Sequence, residues 1–137
     1  MVLIDTSAWI HFLRPDGDPA VRADVEAALR TGEARWCPPV RLELWNGAGG
    51  DRERALLREF ERVVPELSIT AEVWDHVYSL ARSCRTVGVS VPAVDLLIMA
   101  CAHQHAADLL HADTDFDQIV DLPSGDTPPA RPGRTRR

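Results

Sequence analysis

The chain contains no lysine; all 15 of its basic residues are arginine. It has one tyrosine, two methionines and three cysteines among 137 residues. Cys37, Cys84 and Cys101 are odd in number and widely spaced, with no CxxC pair. That excludes a disulfide framework and a zinc knuckle, and reads as three buried free thiols in a reducing cytoplasm. No apolar run approaches the ~20 residues of a membrane span. No basic region precedes the first apolar stretch, as a secretory signal requires. There is no internal repeat. There is no GxSxG for a serine hydrolase, since Gly88-Val89-Ser90 runs into Val91-Pro92.

Positive charge is scarce where nucleic acid would need it. The formal charge is −6, yet Arg131, Arg134, Arg136 and Arg137 all fall at the very end. Residues 1–122 hold 11 arginines against 20 acids, a net of −9. Such a body is a poor non-specific binder of phosphate backbones. A nucleic-acid enzyme of this composition needs a counter-charge at its site, and a divalent cation supplies one.

What is present is a 45% apolar chain, long enough for one domain with its own core. Val2-Leu3-Ile4 reads as a buried strand ending at Asp5. Thr6 or Ser7 then caps a helix carrying Trp9, Phe12 and Leu13. A helix over 20–30 places Val21, Val25, Ala28 and Leu29 on one stripe and closes at Gly32. Arg35-Trp36-Cys37 reads as a brief strand, and Pro38-Pro39 opens a helix through Ala48. Helix 51–62 turns Leu56, Leu57, Phe60 and Val63 inward and Arg52, Arg54, Arg58 and Arg62 to solvent. Leu67-Ser68-Ile69 reads as a strand and 71–86 as a helix with Val73, Val77 and Leu80 inward. The helix after Ser90-Val91-Pro92 is apolar on every side from Leu96 to Ala102, so it is buried all round. Leu109–Ala112 is a strand ending at Asp113, and Phe116, Ile119 and Val120 pack a last turn. From Pro123 the chain is rich in Pro and Arg and reads as a disordered tail over 123–137. Short apolar strands alternating with helices predict an α/β domain over 1–122 with a mostly parallel sheet, whose ligands bind beyond the carboxyl ends of the strands.

Four acids stand at that edge. Asp5 and Asp113 end strands; Glu43 and Asp95 lie near helix starts that contain proline. Asp5 follows three apolar residues, and Asp95 leads into Leu96-Leu97-Ile98-Met99. Acids in apolar sequence need a partner or a metal. Four ionised carboxylates close together repel, and without a counter-charge some must take up protons. The chemistry that wants such a cluster is binding of Mg²⁺ or Mn²⁺, hard ions that prefer oxygen. One or two such ions activate a water and stabilise the charge of an in-line phosphoryl displacement. Taken singly, each acid has a plainer role at a helix start, where the dipole favours negative charge. Asp113-Thr114-Asp115-Phe116-Asp117 opens like a calcium loop, but Gln118 and Ser124 stand where glycine and glutamate are needed.

Leu3-Ile4-Asp5-Thr6-Ser7, Glu43, Asp95-Leu96-Leu97-Ile98-Met99-Ala100 and His111-Ala112-Asp113-Thr114-Asp115-Phe116, in that order, resemble the PIN-domain family. Within it they resemble the VapC toxins of VapBC toxin–antitoxin modules. The resemblance covers about residues 1–122. It implies a PIN-like three-layer fold and a Mg²⁺-dependent endoribonuclease, with Mn²⁺ as a substitute, that cuts structured RNA such as tRNA or rRNA. It also implies inhibition by a small VapB-type antitoxin, and a homodimer. The metal-holding acids would be Asp5, Glu43, Asp95 and Asp113 with Asp115 auxiliary, and the hydroxyl of Ser7 or Thr6 would stand behind them. His111 departs from the family, in which threonine is common at that position.

Candidate substrate contacts are His111, on the strand face of Asp113, Trp45, two residues from Glu43, and Arg41. Each has a structural alternative, core packing for Trp45 and a solvated face for the arginines. Trp9, Trp36 and Trp74 read as core. His103 and His105 are two apart on a helix and make a poor metal pair. Rival functions remain at this level. A Mg²⁺-dependent phosphatase with an aspartyl nucleophile wants a second Asp where Ser7 stands. A metal-free ribonuclease would work in EDTA. A degenerate domain kept for partner binding would not need all four acids.

Overall fold

A computed structural model describes residues 1–120, the side chain of Val120 excepted; the proposed tail at 123–137 lies outside the described residues. The order is β1 (Val2–Ile4), α1 (Thr6–Leu13), α2 (Pro19–Arg30), β2 (Ala34–Arg35), α3 (Pro38–Gly47), α4 (Asp51–Val63), α5 (Ala71–Val87), α6 (Ala93–Gln104), β3 (Asp108–Leu110) and α7 (Asp115–Val120). The strands form a parallel sheet in the order β2-β1-β3. Val2 faces Ala34 and Asp108, and Ile4 faces Leu110. Parallel neighbours require crossover connections. Here α1 and α2 link β1 to β2, and α3 to α6 link β2 to β3.

Successive strand residues point to opposite faces, and Val2, Leu3 and Ile4 are all no more than 2% exposed. Both faces of the central strand are therefore covered by helices, which gives three layers. Leu96, Ile98, Met99, Ala100, Cys101 and Ala102 are buried in α6, as its apolar circumference requires, with Leu97 partly so. An aromatic cluster is part of the same core. Trp9 lies 5.8 Å from Trp36 and 5.0 Å from Phe60.

Two glycines shape the path. Gly32 has φ of 73° just past α2, a conformation that β-carbons disfavour. At Gly17 a Cβ would meet the His11 carbonyl oxygen at 1.9 Å, so the α1–α2 loop closes only on glycine.

Five local expectations are corrected. The cap of α1 is Asp5, ahead of both Thr6 and Ser7, because its carboxylate accepts from the Ser7 backbone N–H. The second strand is shifted to Ala34–Arg35. Leu67–Ile69 is not a strand. Pairing there stops at a Trp36–Glu66 bridge, because the chain turns into α3 directly after Cys37. In α4, Leu57 and Phe60 are buried, but Leu56 and Val63 are 40% and 68% exposed, each lying to the side of that stripe. Trp74 is exposed and stacks on Tyr78, four residues on, since Val73, Val77 and Leu80 take the inner face.

Candidate active site

The site is built where the sheet ends. Asp5 leaves β1 buried, at 4% exposure. Its carboxylate accepts from the Ser7 backbone N–H at 3.0 Å and the Ser7 hydroxyl at 2.5 Å. The same hydroxyl oxygen accepts from the Ala112 N–H at 2.9 Å, fixing the exit of β1 to the exit of β3. Burial pushes the Asp5 carboxyl above its usual range, the hydrogen bonds from Ser7 and Thr6 oppose this, and the charge of Asp113 adds to it. Thr6, turned from the same helix start, donates its hydroxyl to Glu43 at 2.9 Å, steadying an acid that α3 presents to solvent.

Asp95 stands in the first turn of α6, half-buried. Its carboxyl is pushed up to about 7, first by burial and then by the charges of Asp5, Asp113, Asp115 and Glu43. Asp113, just past β3, accepts from the Asp115 N–H at 2.9 Å, a tight turn that brings both carboxylates to one side. Asp95, Asp113 and Asp115 each offer an oxygen within 4.8 Å of the other two.

The expected residues are thus brought together, but with different weights. Asp115, expected as auxiliary, belongs to the tightest trio, while Asp5 and Glu43 stand beside it within electrostatic reach. The reason is local. Asp115 begins a helix directly against Asp113, whereas Asp5 is turned partly into its capping role. Among the described residues, none of the ion pairs engages these five acids. Their repulsion is left for something else to relieve, and the chemistry of the set, all carboxylate oxygen, suits a hard divalent cation.

The three candidate substrate contacts fare differently. His111 is 1% exposed with its ring 4.8 Å from Phe116, so its place is the core. Its Nδ1 accepts from the Asp113 N–H at 3.3 Å, and burial holds its pKa down. The direct phosphate contact expected of it is therefore corrected, since a ring at that depth reaches no substrate. Arg41 is held by Glu66 at 3.1 Å and Glu61 at 3.5 Å, a contact set on α4 and the segment after it. Trp45 is half-buried against the core, with the Arg58 guanidinium 5.9 Å from its ring centroid. Glu43 also lines a groove together with Ile10, Leu13, Leu44, Leu57, Arg14 and Glu53.

Sequence reading passed over one contact. His76 Nε2 lies 2.9 Å from His103 Nδ1, joining α5 to α6. The signal was His76 falling among Val73, Val77 and Leu80 on the buried stripe of α5. His105, the residue that caps α6, contacts the Ser68 carbonyl at 2.8 Å, so both it and His103 are structural. No helix among the described residues is long and apolar enough to cross a membrane.

Comparison with known proteins agrees with this geometry. Residues 2–122 match the PIN domain family. The chain is 33% identical over 124 residues to ribonuclease VapC11 of Mycobacterium tuberculosis, covering 88% of this chain and 92% of that protein. It is 27% identical to ribonuclease VapC18 of the same organism, covering 85% of each. Among solved structures, DNA-bound VapBC from Salmonella typhimurium superposes with a TM-score of 0.73 at 16% identity, covering 86% of this chain and 91% of that one. M. tuberculosis VapC20, described as a sarcin-ricin loop cleaving toxin, superposes with a TM-score of 0.65 at 20% identity, covering 96% and 100%. With a family match over nearly all of its described length and an acid cluster at the carboxyl edge of its sheet, the chain belongs to the PIN-domain family and, within it, to the VapC ribonucleases.

Proposed function

We propose that this protein is the toxin of a toxin–antitoxin pair, a Mg²⁺- or Mn²⁺-dependent endoribonuclease that hydrolyses structured RNA. The observation that carries the reading is the trio Asp95, Asp113 and Asp115, with oxygens within 4.8 Å of one another and the charges of Asp5 and Glu43 beside them. Asp95, Asp113 and Asp115 would hold the cation, with Asp5 and Glu43 completing its negative surroundings. When bound, it offsets the carboxylate charge and supplies electrophilic stabilisation to a phosphodiester and a polarised water. Ser7 holds Asp5 in one rotamer, and Thr6 does the same for Glu43. Both acids are then preorganised to orient the attacking water in line with the leaving oxygen. Water is the nucleophile, so no covalent enzyme intermediate forms, and products carry 5′-phosphate and 3′-hydroxyl ends.

The partner reading follows from the same surface. An acidic pocket takes an arginine from an inhibitor through a bidentate contact. The apolar groove beside Glu43 accepts the neighbouring side chains of that inhibitor.

The test is to induce the protein in cells and map new RNA 5′-ends, with Asp5→Asn as control. Cleavage that stops with the variant and with EDTA supports the reading. Products ending in 2′,3′-cyclic phosphate refute it. Mn²⁺ binding without cleavage of any RNA assigns the chain instead to partner binding alone.

A further inference from the structure

Among the described residues, Trp74 and Tyr78 are the only exposed aromatics, at 43% and 55% exposure. Both lie on α5, where their rings stack with centroids 6.3 Å apart and planes 28° from parallel. Two side chains four residues apart on a helix share one face. Arg82 and Arg85 continue that face, with Ala81 beside them. At 3.6 residues per turn, Trp74, Tyr78, Ala81, Arg82 and Arg85 fall within an arc of roughly 100°. The core side of α5 is taken by Val73, His76, Val77, Leu80 and Cys84, so this stripe faces solvent. The acids of the helix are Glu72, which turns away from the stripe, and Asp75, which borders it. Among the described residues, neither the Arg82 nor the Arg85 guanidinium is held in an ion pair.

The stripe also has a direction. Residues 88–92 alone separate α5 from α6, and His76, early in α5, meets His103, late in α6. The two helices therefore run antiparallel. The arginine end of the stripe shares an end of this helix pair with Asp95, in the first turn of α6. From Arg85 back to Trp74 the stripe runs about 16 Å, enough for a strand of a few nucleotides.

We propose that Trp74, Tyr78, Arg82 and Arg85 form a track for single-stranded RNA, which holds the substrate strand on its way to the acid cluster. The proposal rests on the ribonuclease reading and names binding residues for it. The arginines take phosphates, which offsets the repulsion that the acidic body exerts on a polyanion. The rings take bases, and because every base has an aromatic face this contact is indifferent to sequence. The mutual stacking of Trp74 and Tyr78 orders the rings before RNA arrives, so little side-chain freedom is lost on binding. RNA fits the stripe better than a protein does. A protein would have to bring acids to two cations and apolar groups to two rings. A phosphodiester strand carries a charge and a base at every nucleotide, so one ligand uses both halves.

The test uses the full chain carrying Asp5→Asn, so that RNA stays uncut, and a fluorescein-labelled oligoadenylate about a dozen nucleotides long. Anisotropy gives the dissociation constant, and circular dichroism checks that each variant is folded. Trp74→Ala with Tyr78→Ala is expected to weaken binding about fivefold or more, and Trp74→Phe with Tyr78→Phe to keep it. Arg82→Gln with Arg85→Gln is expected to flatten the slope of log affinity against log salt by about 1.4, the share of two phosphate contacts on a single strand. Unchanged affinity in the alanine pair, or an unchanged slope in the glutamine pair, overturns the track. So does a loss that phenylalanine fails to prevent. A fall in assembly size on sedimentation of the alanine pair also overturns it, and assigns the stripe to a protein contact. Binding is read without cleavage, so the two readings separate. RNA held through the stripe but cut by no form of the chain upholds the track and refutes the ribonuclease reading. RNA cut by the parent, with full affinity in the alanine pair, does the opposite.

Discussion

Replacing Asp95 by Asn should make the metal-free protein more stable, although it removes a residue of the site. The folded protein holds the Asp95 carboxyl at about 7 against an ordinary 3.8. A carboxyl raised on folding keeps a proton that the unfolded chain gives up, so stability falls as pH rises through 3.8 to 7 and the loss is complete above 7. Each tenfold change in proton affinity is worth about 1.36 kcal/mol, which puts the full shift near 4 kcal/mol. Asp95 is only half-buried, and solvent screening brings the expected cost to about 2 kcal/mol. In EDTA at pH 8, Asp95→Asn should therefore melt roughly 5–10 °C above the parent. The gap should close near pH 4, where both side chains are neutral. With Mn²⁺ at about 100 times its dissociation constant, the parent gains about 2.7 kcal/mol; the variant gains little, and the order reverses. Thermal melts at two pH values, with and without metal, give all four numbers. A variant no more stable than the parent in EDTA at pH 8 would refute the account of a carboxylate strained by burial and by its acidic neighbours.

The remaining predictions concern the frame around that cluster. Ser7→Ala removes the hydroxyl that serves both Asp5 and the Ala112 N–H, and loss of bonds to buried polar groups should cost about 1–3 kcal/mol by denaturant titration; a loss near zero would mean the bridge is unimportant. His103, held down to about 4 by burial and by His76, stays neutral while the unfolded chain takes up a proton, so stability should fall as pH drops from about 6.5 to 4. Measured in the Asp95→Asn background, which removes the Asp95 share of the opposing trend, the fall should reach about 2 kcal/mol after allowance for the partly exposed ring, and a flat profile would contradict it. Asp5→Asn should abolish RNA cleavage with the circular dichroism spectrum unchanged, because it removes charge at nearly constant volume. Asp113→Lys should weaken antitoxin affinity at least tenfold in a calorimetric titration if an inhibitor arginine enters the acidic pocket; unchanged affinity argues against that arrangement.

Much of the site was legible in the sequence because its signals are local. A buried strand ending in Asp5, and an acid leading into the uniformly apolar α6, each stand out within a few residues. The parallel sheet followed from the alternation of short apolar runs with helices, and it carried Asp5 and Asp113 to a common edge. What stayed hidden depends on contacts between distant segments. The Thr6–Glu43 bond joins residues 37 apart, and no local pattern says which of Thr6 and Ser7 serves which acid. Both serve one. The rank of Asp115 depends on the turn that Asp113 makes with its N–H. The burial of His111 depends on how the ring of Phe116 closes over it. Leu67 looked like strand sequence because it is buried, but burial by packing and burial by pairing leave the same apolar mark.

The hydrogen bond from the Ala112 N–H to the Ser7 hydroxyl joins two positions 105 residues apart. During synthesis the first strand and its aspartate emerge well before the strand that completes the sheet and the two aspartates after it. Until they emerge, the nascent polypeptide has neither the sheet edge nor the trio of oxygens. A protein that cuts RNA is thus assembled so that its cutting centre cannot exist until the strand completing the sheet, and the two aspartates after it, have been made.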